Sequence, residues 1–573
     1  MHDPDTAPER PWLTAYAEGV PADIEPVTET LVDMFEAAVA RYPKRVALEF
    51  FGAQTTYAQL GERVARAAEG LRRLGVAAGD RVALVLPNCP DHVVAFYAAL
   101  RLGAIVVEHN PLYTPRELRH QFEVHQAVVA IVWDKVADVI AELPADARPR
   151  HIVAVDLTKG MPRGKRIALR LPVDRARDAR AALTGRPRAK GVLPWPRIAS
   201  ARRLGKRVPR PALDDIALLQ LTSGTTGIPK AAMLSHRNLR SNAAQGRAWL
   251  PGLHEGEEVF YGVLPLFHAY GLTLCLTFAM SIGAKLVLFP KYDLDLVIAA
   301  ARTAPPTFLP AVPPIYDALA RASIQGRVDL RGVRYAISGA MSLPLPTVTR
   351  WEEATGGLLV EGYGMTETSP VALGNPAGPS RRPGTVGVPF PSTDVRVVDP
   401  DDPDVVRGPG EEGELLIRGP QVFQGYWNGA DETAAVLLPG GWLRTGDIVT
   451  MSDDGFVTIV DRIKELIITG GFNVSPSEVE QTLVLHPDVE QAAVVGLPRA
   501  GGGEEVDAAV VMRDGAVFDA GALRDFCRLH LTAYKVPKRI VAVTELPRNQ
   551  VGKVLRRVVR DRLLERRDAD GVR

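Results

Sequence analysis

Cysteine is scarce in this chain. Cys89, Cys275 and Cys527 are odd in number and far apart. They offer no disulfide framework and no metal-ligand spacing, and they fit a reducing compartment. Net charge is almost absent: 68 Lys and Arg against 67 Asp and Glu leave +1, so no whole-molecule field points to nucleic acid or another polyanion. Residues 1–21 mix acids, prolines and a Trp without an apolar run, which does not read as a signal peptide. No long internal repeat is visible. One stretch lacks charge altogether. Residues 259–284 contain no Asp, Glu, Lys or Arg and are long enough to span a bilayer. Gly262, Pro265, His268 and Gly271 in its first half, and Thr273, Thr277 and Ser281 in its second, read instead as a buried loop and helix.

The 573 residues suggest about three or four units at roughly 100–200 residues each. The apolar share of 46% suffices for large cores. Apolar runs at 46–50 and 82–86 read as strands, and 60–74 and 95–102 as helices. The alternation returns between Arg302 and Glu361, with strand candidates at 336–337 and 358–360. Such alternation predicts an α/β fold with doubly wound parallel sheets. From Gly384 to Val460, short runs at 395–398, 414–417 and 456–459 are separated by Gly, Pro and Asp, which predicts a small antiparallel sheet or barrel. After Asp461 the pattern is α+β, in a unit small enough to move on its own.

Residues 160–210 hold sixteen Lys or Arg against two Asp, broken often by Pro and Gly. The plain expectation is a solvated, partly flexible insertion. The functional one is contact with an anionic membrane surface, at ~1 kcal/mol per basic residue. Nucleic acid fits worse, because Trp195 is the only aromatic residue available for stacking.

The chemistry concentrates in five clusters. Thr222 to Lys230 (Thr-Ser-Gly-Thr-Thr-Gly-Ile-Pro-Lys) carries four hydroxyls, two glycines and a lysine. Glycines let backbone N–H groups approach an anion, hydroxyls donate to phosphate oxygens and lysine adds charge. Pro229 stands where a Walker A loop requires glycine, so the segment is not that motif, and composition leaves both a polar turn between two strands and a triphosphate loop of another kind open. Glu361-Gly362-Tyr363-Gly364-Met365-Thr366-Glu367-Thr368 follows an apolar run. That places it at a strand end, where α/β folds hold ligands. Tyr363 suits a purine face, Thr366 a phosphate and Glu367 a magnesium bound to ATP. In Gly441 to Asp447, the carboxylate of Asp447 suits the two hydroxyls of a ribose. Arg462, within Asp461 to Glu465, can add a charge-assisted bond. Last comes Lys553, after Gly552 in a turn before a basic helix.

In this order and at these separations the clusters resemble the adenylate-forming superfamily of acyl-CoA synthetases, peptide-synthetase adenylation domains and luciferases, from about Leu31 to about Arg557. Asn110 to Leu118 (NPLYTPREL), Pro265 to His268 (PLFH), Gln424 to Trp427 (QGYW) and Leu531 to Pro537 (LTAYKVP) look most like the bacterial long-chain fatty-acid–CoA ligases. A basic insertion such as 160–210 is also similar to that group.

The resemblance implies a large N-terminal domain of doubly wound sheets with a small β-barrel, then a small mobile α+β domain. The expected segments are an extension at 1–26, an AMP-binding domain at 27–462, a C-terminal lid at 463–560 and a charged tail at 561–573. It implies ATP, Mg2+ and coenzyme A as cofactors and co-substrates. Residues Thr222, Ser223, Gly224, Thr225, Thr226, Gly227 and Lys230 would wrap the β- and γ-phosphates. Ser338, Gly339, Ala340, Glu361, Gly362 and Tyr363 would hold adenine. Thr366 and Glu367 would serve phosphate and magnesium, with Glu367 as the metal ligand. Asp447 would bind ribose, assisted by Arg462. Lys464 would be the hinge, and Lys553 the adenylation lysine. Gly470 and Gly471 would help form the pantetheine tunnel. His268, Ala269, Tyr270 and Gly271 would line the acyl pocket. Two positions depart from common patterns. Ser338 stands where many relatives have Gly, and Ile468 where aryl-CoA ligases and luciferases often carry Lys.

The expected activity is therefore ATP-dependent formation of acyl-CoA from a long-chain fatty acid, releasing AMP and pyrophosphate. The expected setting is cytoplasmic, peripheral on the inner face of the membrane, with a homodimer left open and no nucleic-acid partner. Rival readings are the same chemistry on a medium-chain, dicarboxylic or aryl acid, a fatty-acyl–AMP ligase, and a catalytically silent nucleotide-binding scaffold.

Overall fold

The computed structural model describes residues 10–222, 229–469, 472–499, 504–549 and 552–569. The chain divides into two compact units, one of 1–394 and 417–443, the other of 395–416 and 444–573.

The larger unit is built on two sheets. One has seven strands, in the spatial order Leu193–Pro194, His151–Val155, Val129–Trp133, Arg81–Val85, Ile105–Glu108, Ile216–Thr222 and Lys230–Ser235. All neighbours are parallel except the last pair, an antiparallel hairpin that sets Thr222 opposite Lys230. The other sheet has nine strands, with a parallel centre running from Leu358–Gly364 through Tyr335–Ser338, Phe308–Ala311, Val259–Gly262 and Lys285–Leu288 to Val46–Phe50. Central strands are mainly apolar, as parallel strands covered on both faces must be: Val82, Ala83, Leu84 and Val85 are all fully buried. Helices start where a hydroxyl can accept from the free N–H groups of the first turn. Thr30, Thr56, Thr114 and Ser235 each close a capping box.

The uncharged stretch 259–284 is the strand Val259–Gly262, a loop, and a helical run whose middle, Leu272–Thr277, is a buried π-helical turn. Among the described residues no helix is long and apolar enough to cross a membrane.

The basic segment 160–210 is not one solvated insertion. Its second half is part of the fold. Leu193–Pro194 adds a parallel edge to the seven-stranded sheet. Trp195 and Ile198 are buried, and the Trp195 indole donates to Asp91 at 2.8 Å. The helix Trp195–Ala199 packs so closely on the helix Tyr57–Arg73 that a Cβ at Gly70 would meet the Ile198 carbonyl at 2.2 Å. The first half, with the helices Arg163–Ala168 and Asp174–Leu183, is largely exposed, as are most of residues 202–210.

In the smaller unit, the strands Val489–Pro498, Glu504–Met512 and Arg539–Ala542 form a sheet. Val494, Ala508 and Val510 face one apolar cluster, Ala493, Val495 and Ala509 the other. The two-residue period of a strand thus covers both faces. The helices Pro476–Val484 and Ala520–His530 supply the first cluster, and Arg556–Ala569 the second. The strand Val457–Arg462 pairs antiparallel with the preceding strand, placing Arg462 opposite Asp447. All three cysteines are buried and unpaired, Cys89 and Cys275 in the larger unit and Cys527 in the smaller.

Candidate active site

The larger unit holds one group of predicted residues at the strand ends. Thr222 closes the hairpin by donating its hydroxyl to the Lys230 carbonyl at 3.4 Å. Ser223, Gly224, Thr225, Thr226 and Gly227 lie outside the described residues. The Lys230 ammonium sits 5.1 Å from the centre of the Tyr426 ring, within cation–π range. The Tyr426 hydroxyl donates to Glu367 Oε1 at 2.6 Å, across 59 residues of sequence. Backbone bonds fix this arrangement from both sides. Met233 N donates to Gly425 O at 2.9 Å and Trp427 N to Ala231 O at 2.8 Å, while Phe423 N donates to Glu367 O at 2.8 Å. The segment around Tyr426 is thus stitched to the strand that begins at Lys230 and to the turn Thr366–Thr368 that carries Glu367. Glu367 is buried and Thr366 beside it half-buried.

The adenine candidates share two adjacent strands. Ser338 ends one and pairs in register with Glu361 on the next. Ala340 adopts a positive φ of 68°. A Cβ at Gly339 would crowd the Tyr270 ring at 3.1 Å. Tyr363 is buried. Glu361 accepts from the Gly384 N–H at 3.0 Å, and burial pushes its carboxyl up to about 7.

The acyl-pocket candidates follow the loop after Val259–Gly262. His268 caps the short helix Ala269–Gly271, its Nδ1 accepting from Tyr270 N at 3.3 Å, and burial lowers its imidazole pKa. A Cβ at Gly271 would meet the Pro265 carbonyl at 2.1 Å. The Tyr270 hydroxyl donates to Ile337 O at 2.6 Å, tying this loop to the strand that ends at Ser338. The loop is clamped by Asn88, which donates to Gly262 O at 3.0 Å and Leu264 O at 2.7 Å and accepts from Leu266 N at 2.8 Å. Asn88 and Tyr426 are the residues that sequence reasoning did not assign. Their partners are distant in sequence; Tyr426 stood within the resemblance segment Gln424 to Trp427 with no role attached, and Asn88 in no motif.

The smaller unit holds the second group. Arg462 Nε lies 2.8 Å from Asp447 Oδ1, and Asp447 is buried. Lys553 is half-buried in a turn closed by its own N–H donating to Asn549 Oδ1 at 2.9 Å. Burial lowers the pKa of its ammonium. The cations of Arg462 and Arg556 lower it further, and Glu465 and Asp447 oppose the shift. The fold of this unit therefore brings Lys553, Arg462 and Asp447 into one electrostatic neighbourhood. Arg556 anchors it from behind, held by Glu480 at 2.7 Å and by Glu465. Lys464 falls in the turn Ile463–Glu465, its side chain outside the described set, as are Gly470 and Gly471.

Among the described residues no group of three or more His, Cys, Asp or Glu could hold a metal by itself. Glu367 fits a magnesium differently. Mg2+ takes one or two carboxylates and completes its shell with substrate phosphates and water. The phenol of Tyr426 fixes that carboxylate without adding positive charge to it.

Residues 35–427 match the AMP-binding enzyme family, and residues 478–553 match the AMP-binding enzyme C-terminal domain. The chain is 36% identical over 566 residues to a long-chain-fatty-acid–CoA ligase of Bacillus subtilis, covering 97% of this chain and 98% of that one. It is 34% identical over 521 residues to a feruloyl-CoA synthase of an Amycolatopsis species, covering 91% and 96%. Its fold is similar to the crystal structure of ATP-bound MatB from Rhodopseudomonas palustris, with a TM-score of 0.79 and 29% identity over 93% of this chain and 98% of that one.

Proposed function

The chain belongs to the AMP-binding enzyme family, and from that premise we propose that it joins a long-chain fatty acid to coenzyme A through an acyl-adenylate, releasing AMP and pyrophosphate. The observation that carries this reading is the full-length likeness to a long-chain-fatty-acid–CoA ligase, at 36% identity over 97% of the chain.

In the first half-reaction the substrate carboxylate attacks the α-phosphate of ATP and pyrophosphate leaves. No general base is required, so the task is to align two anions and offset their charge. Thr222, Lys230 and the loop between them hold the terminal phosphates. Tyr426 orients Glu367, the candidate magnesium ligand, and a bound Mg2+ would supply charge neutralisation at the phosphates. Asp447, with Arg462 beside it, takes the ribose hydroxyls, and Lys553 bridges the carboxylate and the α-phosphate. In the second half-reaction the coenzyme A thiol attacks the adenylate carbonyl. Lys553 is then no longer needed, and the C-terminal part turns about Lys464 to bring Gly470 and Gly471 to the thiol path.

The apolar stretch 259–284 favours a long acyl chain, since burying each methylene contributes ~0.8 kcal/mol. The basic segment 160–210 would keep such an enzyme at an anionic membrane surface, in a setting of lipid metabolism. An aryl acid is the second reading, favoured by the likeness to a feruloyl-CoA synthase. Against it, position 468 is an exposed Ile.

The test is pyrophosphate release with ATP and magnesium across acids from acetate to oleate, plus adipate and coumarate, with and without coenzyme A. Turnover on long chains that depends on coenzyme A is expected. Turnover confined to coumarate would keep the chemistry and replace the substrate.

A further inference from the structure

The exposed first half of the basic segment, with the chain from 185 to 196, borders a half-open cavity of about 600 Å³. It opens beside Asp134 and Asp156, the residues that follow two adjacent parallel strands, Val129–Trp133 and His151–Val155. Carboxyl ends of parallel strands are where α/β folds bind ligands. None of the catalytic candidates lines this cavity.

Five cations do line it: Lys159, Arg166, Arg170, Arg180 and Arg186. Among the described residues none of the five forms an ion pair, so their charges meet only the two acids of the cavity and water, whereas four other arginines of the segment are paired. Arg177 is paired with Asp174, Arg202 with Glu69, Arg203 with Glu62, and Arg210 with Asp33 and Glu36. Both acids of the cavity already accept hydrogen bonds, Asp134 across about fifty residues of sequence and Asp156 within a local turn. Asp134 accepts from the Thr184 hydroxyl and from Gly185 N at 2.8 Å. Asp156 accepts from Thr158 N at 2.9 Å and from its hydroxyl at 2.6 Å. Holding like charges around one cavity costs self-repulsion that a bound anion relieves. Guanidinium forks match the oxygens of a phosphate. Trp195 at the far end is buried and bonded to Asp91, so no ring is offered for base stacking.

We propose that this cavity is a second ligand site that takes a phosphate-bearing group. Two sources carry that chemistry, the headgroup of an anionic phospholipid and a small soluble phosphoester. The full-length protein is titrated with sn-glycerol 3-phosphate by calorimetry, and co-sedimented with phosphatidylglycerol vesicles against phosphatidylcholine vesicles. Two variants are compared, Arg170→Ala with Arg180→Ala inside the cavity, and Arg163→Ala with Arg175→Ala on the same segment outside it. Both remove two charges, and both are checked for unchanged ATP-dependent pyrophosphate release. The cavity variant should bind at least ~10-fold more weakly and the outer variant change by less than about twofold. Should the cavity variant misfold, Lys159→Gln, at an exposed position, gives the same comparison as a single change. Capture of glycerol phosphate assigns a soluble ligand, and cavity-dependent capture of vesicles alone assigns a lipid headgroup. Equal loss in both variants, or no binding to either probe, overturns the proposal.

Discussion

In the larger unit the carboxylates of Glu361 and Glu367 are held by neutral donors, a backbone N–H and a phenol. In the smaller unit the carboxylate of Asp447 is held by the guanidinium of Arg462. The difference decides what each acid can do. A carboxylate fixed by a neutral donor keeps its charge uncompensated, so it attracts a cation or resists ionising. A carboxylate matched by arginine is electrically satisfied and has lone pairs left for neutral hydroxyls. On the proposed reading the larger unit would handle the metal and the purine, and the smaller one the ribose, with Lys553 supplying positive charge.

The largest effect should come from the smaller unit. Lys553→Ala is expected to slow adenylation by ~10²–10³ while sparing thioester formation from supplied acyl-adenylate. Single-turnover assays of each half-reaction measure this, and equal loss in both would break the division of labour. A middling effect is expected in the larger unit. Tyr426→Phe keeps the ring under Lys230 but removes the donor to Glu367. Losing a partner that orients a metal ligand typically weakens metal binding ~10-fold or more. The magnesium concentration for half-maximal rate should rise by about that factor, with a smaller change in kcat. An unchanged magnesium requirement would remove Glu367 from the metal.

The smallest effect concerns Glu361. Burial raises its folded pKa from the usual 4.5 to about 7. The folded state therefore keeps a proton that the unfolded chain has released, and the associated stability is present below pH 4.5 and lost as pH rises to about 7. Glu361→Gln should remove that slope and stabilise the protein at pH 8 by about 1–2 kcal/mol, discounted for partial exposure. Thermal melts from pH 5 to pH 8 provide the comparison, and parallel curves for the two proteins would show that Glu361 is not held in a charge-averse site.

The two regions were also unequally legible in the sequence. Lys230, Glu361 and Glu367 stand in contiguous clusters whose residue types state their chemistry. The contact through Tyr426 joins positions far apart in the chain and is made by one side chain, which no spacing rule reports. The strands Val46–Phe50, Tyr335–Ser338 and Leu358–Gly364 were visible through their apolar cores at 46–50, 336–337 and 358–360, because parallel strands covered on both faces are rich in apolar residues. The segment 160–210 misled because counting charge is blind to burial. Trp195 and Ile198 lock the middle of its second half onto the helix bearing Gly70, while the first half and the stretch 202–210 fit the composition.

An enzyme that makes a mixed anhydride and then waits for a thiol must not offer thiols of its own. Burial lifts Cys275 to about 12 and Cys527 to about 11, and raises Cys89 as well. Since the thiolate is the nucleophile, the native protein should neither acylate itself nor react with a thiol-titrating dye. Such a dye added during turnover then counts coenzyme A alone, and the three protein thiols appear only when the chain is denatured.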